Sequence, residues 1–315
     1  MAEFRHIPVL LEEVVGILGQ TPVPAVVLDA TVGGAGHARA LLEAGAGSRA
    51  YVGLDRDPRA LAAAAERLAS FGDRVVLRER PFAEAEAVVA ELGLGALDGL
   101  LVDCGVSSPQ LDSAERGFAF LASGPLDMRM GSAGETAAEL LDRLDEDGLA
   151  SILRELGEVP GARGLARRIL AARQSGQLQS TRELAEVVYR GAPPALRSRR
   201  VHPATLVFQA LRMAVNDELG QLGALLDALP RLMAPGGRAV FIAFHSLEDR
   251  LVKQRLRGLC TGDGPRGPFE GGEVREPDFE ALTRKAVVAT EVEVARNPRA
   301  RSARLRAVRR VRRAA

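Results

Sequence analysis

Apolar residues dominate positions 25–30, 51–55 and 97–103 without regular polar alternation, with a shorter run at 74–77. A strand with one wet face alternates apolar and polar positions. A run without that alternation predicts a strand covered on both faces, as in a parallel sheet. Between these runs the spacing changes to a helical period over 36–46, 58–70 and 82–92. Asp57 followed by Pro58 is a helix start, an N-cap before a first residue that needs no amide donor. Strands alternating with helices predict an α/β fold built on a doubly wound sheet.

That alternation stops between about 107 and 198. Helical spacing continues at 137–144, 149–156, 164–175 and 181–189 with no strand among them. An all-helical block inside an α/β pattern predicts an insertion, so 107–199 forms one domain and 1–106 with 200–315 forms the other. A long amphipathic stretch over 204–232 ends at Pro235, Gly236 and Gly237, and strand chemistry returns at 238–244. The Gly- and Pro-rich stretch 261–277 predicts a mobile loop. Residues 296–315 carry nine arginines and no acid and read as a basic tail.

Composition adds limits. The chain has 315 residues, 47% apolar and 26% charged, enough for two packed cores and too apolar for disorder. Aromatics are 4% with no tryptophan, so Ala, Leu and Val fill the interior. Lys and Arg number 42 against 41 acids, so only local charge can indicate a partner. Arg163, Arg167, Arg168 and Arg173 fall near one helical face, Arg190, Arg197, Arg199 and Arg200 follow, and the tail adds its own. Such clusters suit phosphate contacts, and scarce aromatics leave shape and phosphate recognition ahead of base stacking. No apolar run approaches a membrane span, the first residues lack a signal-peptide core, and two cysteines make neither a disulfide framework nor a metal site. These features predict a cytoplasmic protein that uses no metal.

Candidate chemistry gathers at two strand ends. After the first strand come Gly33, Gly34, Ala35, Gly36 and His37, a Gly-rich turn entering a helix, with Asp55 closing the next strand. The first such turn of a parallel sheet faces the ligand crevice, and an acid about 20 residues on suits ribose hydroxyls. A pyrophosphate-binding pattern requires a third small residue where Arg39 stands. S-adenosylmethionine has no pyrophosphate, and Asp29 offers an acid for its cationic end. After the fourth strand come Asp103, Cys104, Ser107, Ser108, Pro109 and Gln110. A ring amine is a weak nucleophile and needs acceptors that hold it in line with a methyl donor, a role suited to Asp103 and this turn. Cys104 reads as a small buried hydrophobe. His245, just past a later strand, either orients a base or phosphate or caps Ser246 or Glu248. His202 reads as structural, and Met128 and Met130 either line a pocket or fill core gaps.

With these motifs the chain resembles the RsmH (MraW) family of ribosomal RNA methyltransferases. The matching segments lie in order along nearly the whole length: 6–11, 33–37, 53–57, 103–112, 115–118, 124–130, 202–205, 208–210, 215–216, 244–250 and 297–302. The resemblance implies a Rossmann-like class I methyltransferase sheet with an inserted helical substrate-recognition domain. It implies methylation by S-adenosylmethionine of a cytidine N4 in small-subunit (16S) ribosomal RNA near the decoding site. It implies cofactor contacts at Ala35, Gly36, His37, Asp55, Phe82, Asp103 and Gln110, beside Gly33 and Gly34 of the turn. The chain departs from the family at Ala35, where Gly is common, at Cys104, where Leu is usual, and at Glu158, Val159, Pro160, Gly161 and Ala162, where Glu-Glu-Arg-Phe-Ala is usual. Two other functions share these features, a nicotinamide-dependent oxidoreductase and a non-catalytic RNA-binding assembly factor. Oligomeric state stays open, a homodimer included.

Overall fold

A computed structural model describes residues 7–20, 22–198, 202–261 and 276–311. The chain forms two compact units, Met1–Gly105 with Leu219–Ala315, and Val106–Glu218.

The first unit is built on seven strands: β1 Val26–Asp29, β2 Ala50–Asp55, β3 Val75–Glu79, β4 Leu97–Asp103, β5 Met233–Ala243, β6 Phe279–Ala281 and β7 Arg304–Arg310. They lie in the order β3-β2-β1-β4-β5-β7-β6. β1 to β5 are parallel, and β7 runs antiparallel to both its neighbours. The chain winds outward one way through β2 and β3 and the other way from β4, so the switch point lies between β1 and β4. A crevice opens at such a point beyond the carboxyl ends of the strands.

The missing alternation is explained by two cores. Val26, Leu28, Val52, Leu54, Leu100, Val102 and Phe241 belong to one, with apolar residues of the helices Ala85–Glu91, Glu218–Leu232 and Ser246–Thr261. Their strand neighbours Val27, Tyr51, Leu101, Val240 and Ile242 belong to the other, with the helices Leu11–Leu18, Gly36–Glu43 and Pro58–Leu68. Asp57 caps the last of these, its Oδ1 accepting from Arg59 N at 3.0 Å.

The arginine-rich end is part of this sheet. Leu305 and Ala307 alternate with Arg304 and Arg306 and are buried, so β7 pairs along β5 instead of forming a tail. Arg306 is held at 2.7 Å by Asp249, and Arg309 pairs with Glu280. The residues past 311 and nearly all of the Gly- and Pro-rich stretch, 262–275, lie outside the described residues.

The second unit consists of the helices Ala137–Arg143, Glu146–Glu155, Ala162–Gln174, Thr181–Gly191 and Pro203–Asn216, with short helices at Ser108–Asp112 and Pro194–Arg197. The amphipathic stretch read as one is two helices, parted at Asp217, whose φ of 48° is left-handed and cannot continue a helix. The first of the two buries Val207, Phe208 and Leu211 among Leu140, Leu153, Leu165, Ile169 and Leu184. The helical unit therefore extends to Glu218, and the sheet unit resumes at Leu219, not at 200.

Several family-like segments knit this unit together. A Cβ on Gly117 would lie 2.4 Å from Pro125 O, and one on Gly124 1.8 Å from Ala114 O, so backbone packs where side chains cannot fit. Asn216, fully buried, accepts from Met130 N at 2.7 Å and donates to Met128 O at 2.8 Å. Met128 is itself in the core. Among the described residues no helix is long and apolar enough to cross a membrane.

Candidate functional site

Three acids end three adjacent strands: Asp55 on β2, Asp29 on β1 and Asp103 on β4. Asp29 is buried and accepts from Thr31 N at 3.2 Å and Tyr51 Oη at 3.1 Å. Burial, only partly offset by those bonds, raises its pKa from 3.8 to about 7. Asp55 accepts from Gly33 N and Asp57 N, both at 2.9 Å, and burial raises it to about 6. Asp103 is raised well above its ordinary value by burial first, then by the charges of Asp29 and Glu248. Its Oδ1 is buried with no hydrogen-bond partner among the described residues, and its Oδ2 lies 3.7 Å from His37 Nδ1. His37 Nε2 is 2.9 Å from Val9 O. A carbonyl can only accept, so that nitrogen carries the proton.

This clustering is the chemistry of a cation site. Carboxylates buried together resist ionisation, and a positive ligand among them favours the charged forms. Thr31 and Tyr51 were missed from the sequence. Thr31 Oγ1 accepts from Asp103 N at 2.7 Å and ties the β1 tip to the β4 tip. Tyr51 holds Asp29 from the neighbouring strand. Both lie inside strand or turn sequence that carries no motif.

The turn glycines have distinct uses. Gly33 takes a φ of 49° and gives its amide to Asp55, tying the turn to β2. Gly36 has another reason to lack a Cβ, which would meet Pro8 Cγ at 2.4 Å. Ala35 is left-handed with φ 60°. Gly34 O accepts from Arg67 at 2.7 Å. Phe82 follows β3, half-buried against the first core, and Cys104 is buried in that core. Arg39 is exposed and pairs with Glu43 at 2.8 Å.

Ser107, Ser108, Pro109 and Gln110 belong to the second unit and begin the helix Ser108–Asp112. Gln110 is buried, and its Oε1 accepts from Ser107 N at 2.9 Å. It is occupied in capping, at least in part. His245 follows β5 at the head of the helix Ser246–Thr261. Its Nδ1 accepts from Glu248 N at 3.4 Å, and its Nε2 lies 3.1 Å from Glu248 Oε1, off line for a hydrogen bond. Glu248 Oε2 in turn accepts from Phe244 N at 2.8 Å. The capping alternative describes this geometry. His202 caps the helix Pro203–Asn216, its Nδ1 accepting from Ala204 N at 3.2 Å.

The basic helical face is largely neutralised. Arg163 and Arg167 pair with Glu146, and Arg173 pairs with Asp142 at 2.7 Å. These carboxylates come from other helices, beyond the reach of local sequence patterning. Arg199 and Arg200 lie outside the described residues.

The chain matches the MraW methylase family over residues 3–311. It is 54% identical over 314 residues, 99% of each chain, to the Ribosomal RNA small subunit methyltransferase H of Anaeromyxobacter sp. (strain K). It is 49% identical to the protein of the same name in Geotalea daltonii, over 99% of this chain and all of that one. Among solved structures, an rRNA methylase from Streptococcus thermophilus aligns over 96% of this chain and 92% of its own, with 10% identity and a TM-score of 0.41.

Proposed function

The chain belongs to the MraW methylase family, and from that premise we propose that it methylates the exocyclic N4 of a cytidine in small-subunit ribosomal RNA near the decoding site. The relatives' shared name supports the RNA, and the family resemblance in the sequence supports the atom. S-adenosylmethionine supplies a methyl group activated on a positively charged sulfur. The observation that carries the reading is the trio Asp29, Asp55 and Asp103 on adjacent strand tips, the first buried and the other two half-buried, all held above their ordinary pKa values.

In this reading Asp29 faces the cationic end of the cofactor and Asp55 its ribose hydroxyls, beside the turn of Gly33, Gly34, Ala35, Gly36 and His37. Phe82 and Gln110 complete the cofactor contacts. Asp103 has the chemistry the amine requires. An N4 that took a methyl group would have to lose a proton, and Asp103 Oδ1, buried with no hydrogen-bond partner among the described residues, has the chemistry to accept it once a cation favours the ionised carboxylate. Ser107, Ser108 and Pro109 serve to position the base, and His245 stays engaged with Glu248 at the head of its helix. A target stacked or paired in its RNA has to be extruded first. The helical unit recognises that RNA, and the reaction belongs to the cytoplasm. A dinucleotide is disfavoured because Arg39 occupies the third small position of its fingerprint.

The test is methyl transfer from labelled S-adenosylmethionine to small ribosomal subunits and to free RNA. Asp103→Ala lowers transfer far more than RNA binding. Equal loss of both would show that Asp103 acts in assembling the site instead.

A further inference from the structure

Four rings form a row in the helical unit. Phe208 is buried in its core. Phe120 lies 5.1 Å from Phe208 and 4.9 Å from His202, centroid to centroid. His202 is exposed and stacks on Tyr189, with centroids 5.6 Å apart and planes within 12°. Tyr189 is 57% exposed, and Leu121, next to Phe120 in the chain, is 96% exposed. Large apolar groups left in water together mark a contact surface. This one is held firmly, because His202 is fixed by its bond to Ala204 N and Phe120 by the core behind it.

Cations flank the same spot. Arg190 follows Tyr189 on the helix Thr181–Gly191, with its side chain 80% exposed and Glu186 at a loose 3.4 Å. Arg197 reaches back to the end of that helix and donates to Arg190 O at 3.2 Å. A flat ring with guanidinium groups beside it matches one chemistry well, a nucleobase on the ring and its backbone phosphates on the cations.

We propose that Tyr189, backed by His202, is a stacking platform for an unpaired base of the RNA strand, whose phosphates meet Arg190 and Arg197. The proposal rests on the ribosomal RNA reading above and extends it to a contact outside the strand-tip site. It also revises the expectation from composition that stacking is minor, since a single well-backed ring suffices.

The chain has two tyrosines and no tryptophan, and Tyr51 is fully buried. Both tyrosines emit, but Tyr189 is the exposed one, so a quench caused by an added oligomer reports on Tyr189. The probes are a single-stranded cytidine oligomer of about ten nucleotides and an abasic oligomer of equal length and charge. The base-bearing oligomer quenches emission and the abasic one does not. Tyr189→Ala weakens binding of the cytidine oligomer roughly 5- to 100-fold and raises KM for ribosomal RNA more than it lowers kcat. Tyr189→Phe keeps a ring and restores the affinity while removing the quenchable signal. Equal binding of both oligomers, an absent quench, or an alanine variant equal to wild type in affinity and KM overturns the proposal, as does capture of a protein segment at Leu121 that leaves RNA binding untouched. If wild type stacks the oligomer but transfers no methyl group to small-subunit RNA, the stacking stands and the proposed reaction falls.

Discussion

Replacing Asp29 with Asn tests the electrostatics of the strand tips through folding alone. The carboxyl is 1% exposed, and its pKa rises from 3.8 to about 7 on folding. Between those values the native chain holds a proton that the unfolded chain has released. Stability from this group is therefore complete below pH 4 and is lost as pH climbs through 7. An acid with these two values gives up roughly 2.5 kcal/mol between pH 5 and pH 8. For a folding unit of about 200 residues that is on the order of 5–10 °C in Tm. Asn has nearly the same shape, its oxygen can accept from Thr31 N while its NH2 donates to Tyr51 Oη, which can accept, and it does not titrate. The assay is thermal unfolding of the unliganded protein and of Asp29→Asn at pH 5, 6.5 and 8 at constant ionic strength. The variant should gain on wild type steadily as pH rises, and S-adenosylmethionine should stabilise wild type more at pH 8 than at pH 5. Parallel Tm curves for the two proteins would refute the claim that burial holds this acid protonated.

Two glycines allow a paired comparison. Ala at Gly36 drives a Cβ into the Pro8 ring and should cost roughly 1–3 kcal/mol, whereas Ala at Gly164, with nothing within 4 Å of its Cβ, should gain about 0.5–1 kcal/mol from helix propensity; urea unfolding checks both, and equal signs would contradict the packing. Asp55→Ala leaves Gly33 N and Asp57 N without their acceptor and should weaken S-adenosylmethionine binding roughly tenfold or more; calorimetry measures it, and unchanged affinity removes Asp55 from the ribose.

Features set by neighbours in sequence were readable before any coordinates. Apolar runs without alternation placed β1, β2 and β4 with both faces buried, and Asp57 with Pro58 marked a helix start that the cap at Arg59 N bears out. Features set by distant partners were not readable. The break at Asp217 depends on one left-handed residue with no glycine to announce it. The pairing of Arg167 with Glu146, or of Arg306 with Asp249, joins helices and strands whose approach only the fold decides. That is why arginines counted as one basic surface are largely spoken for, and why β7 was taken for a tail. At the site, motif spacing found Asp55 and Asp103, whereas Thr31 and Tyr51 act through the register of β1, β2 and β4.

The raised pKa values also constrain how binding and stability are linked. Near neutral pH, ionising Asp29 and Asp55 costs the empty fold stability, since neither has a cation within bonding distance among the hydrogen bonds and ion pairs described for it. A ligand that brings positive charge recovers that cost, so part of its binding energy comes from relief of repulsion already built into the sheet. Neutralising an acid therefore has opposite consequences for the two properties: Asp29→Asn makes the unliganded protein more stable at pH 8 and the cationic ligand weaker. A variant that lost stability and affinity together would place the defect in packing. Only the opposed pair of changes is diagnostic of a charge held in reserve for a cation.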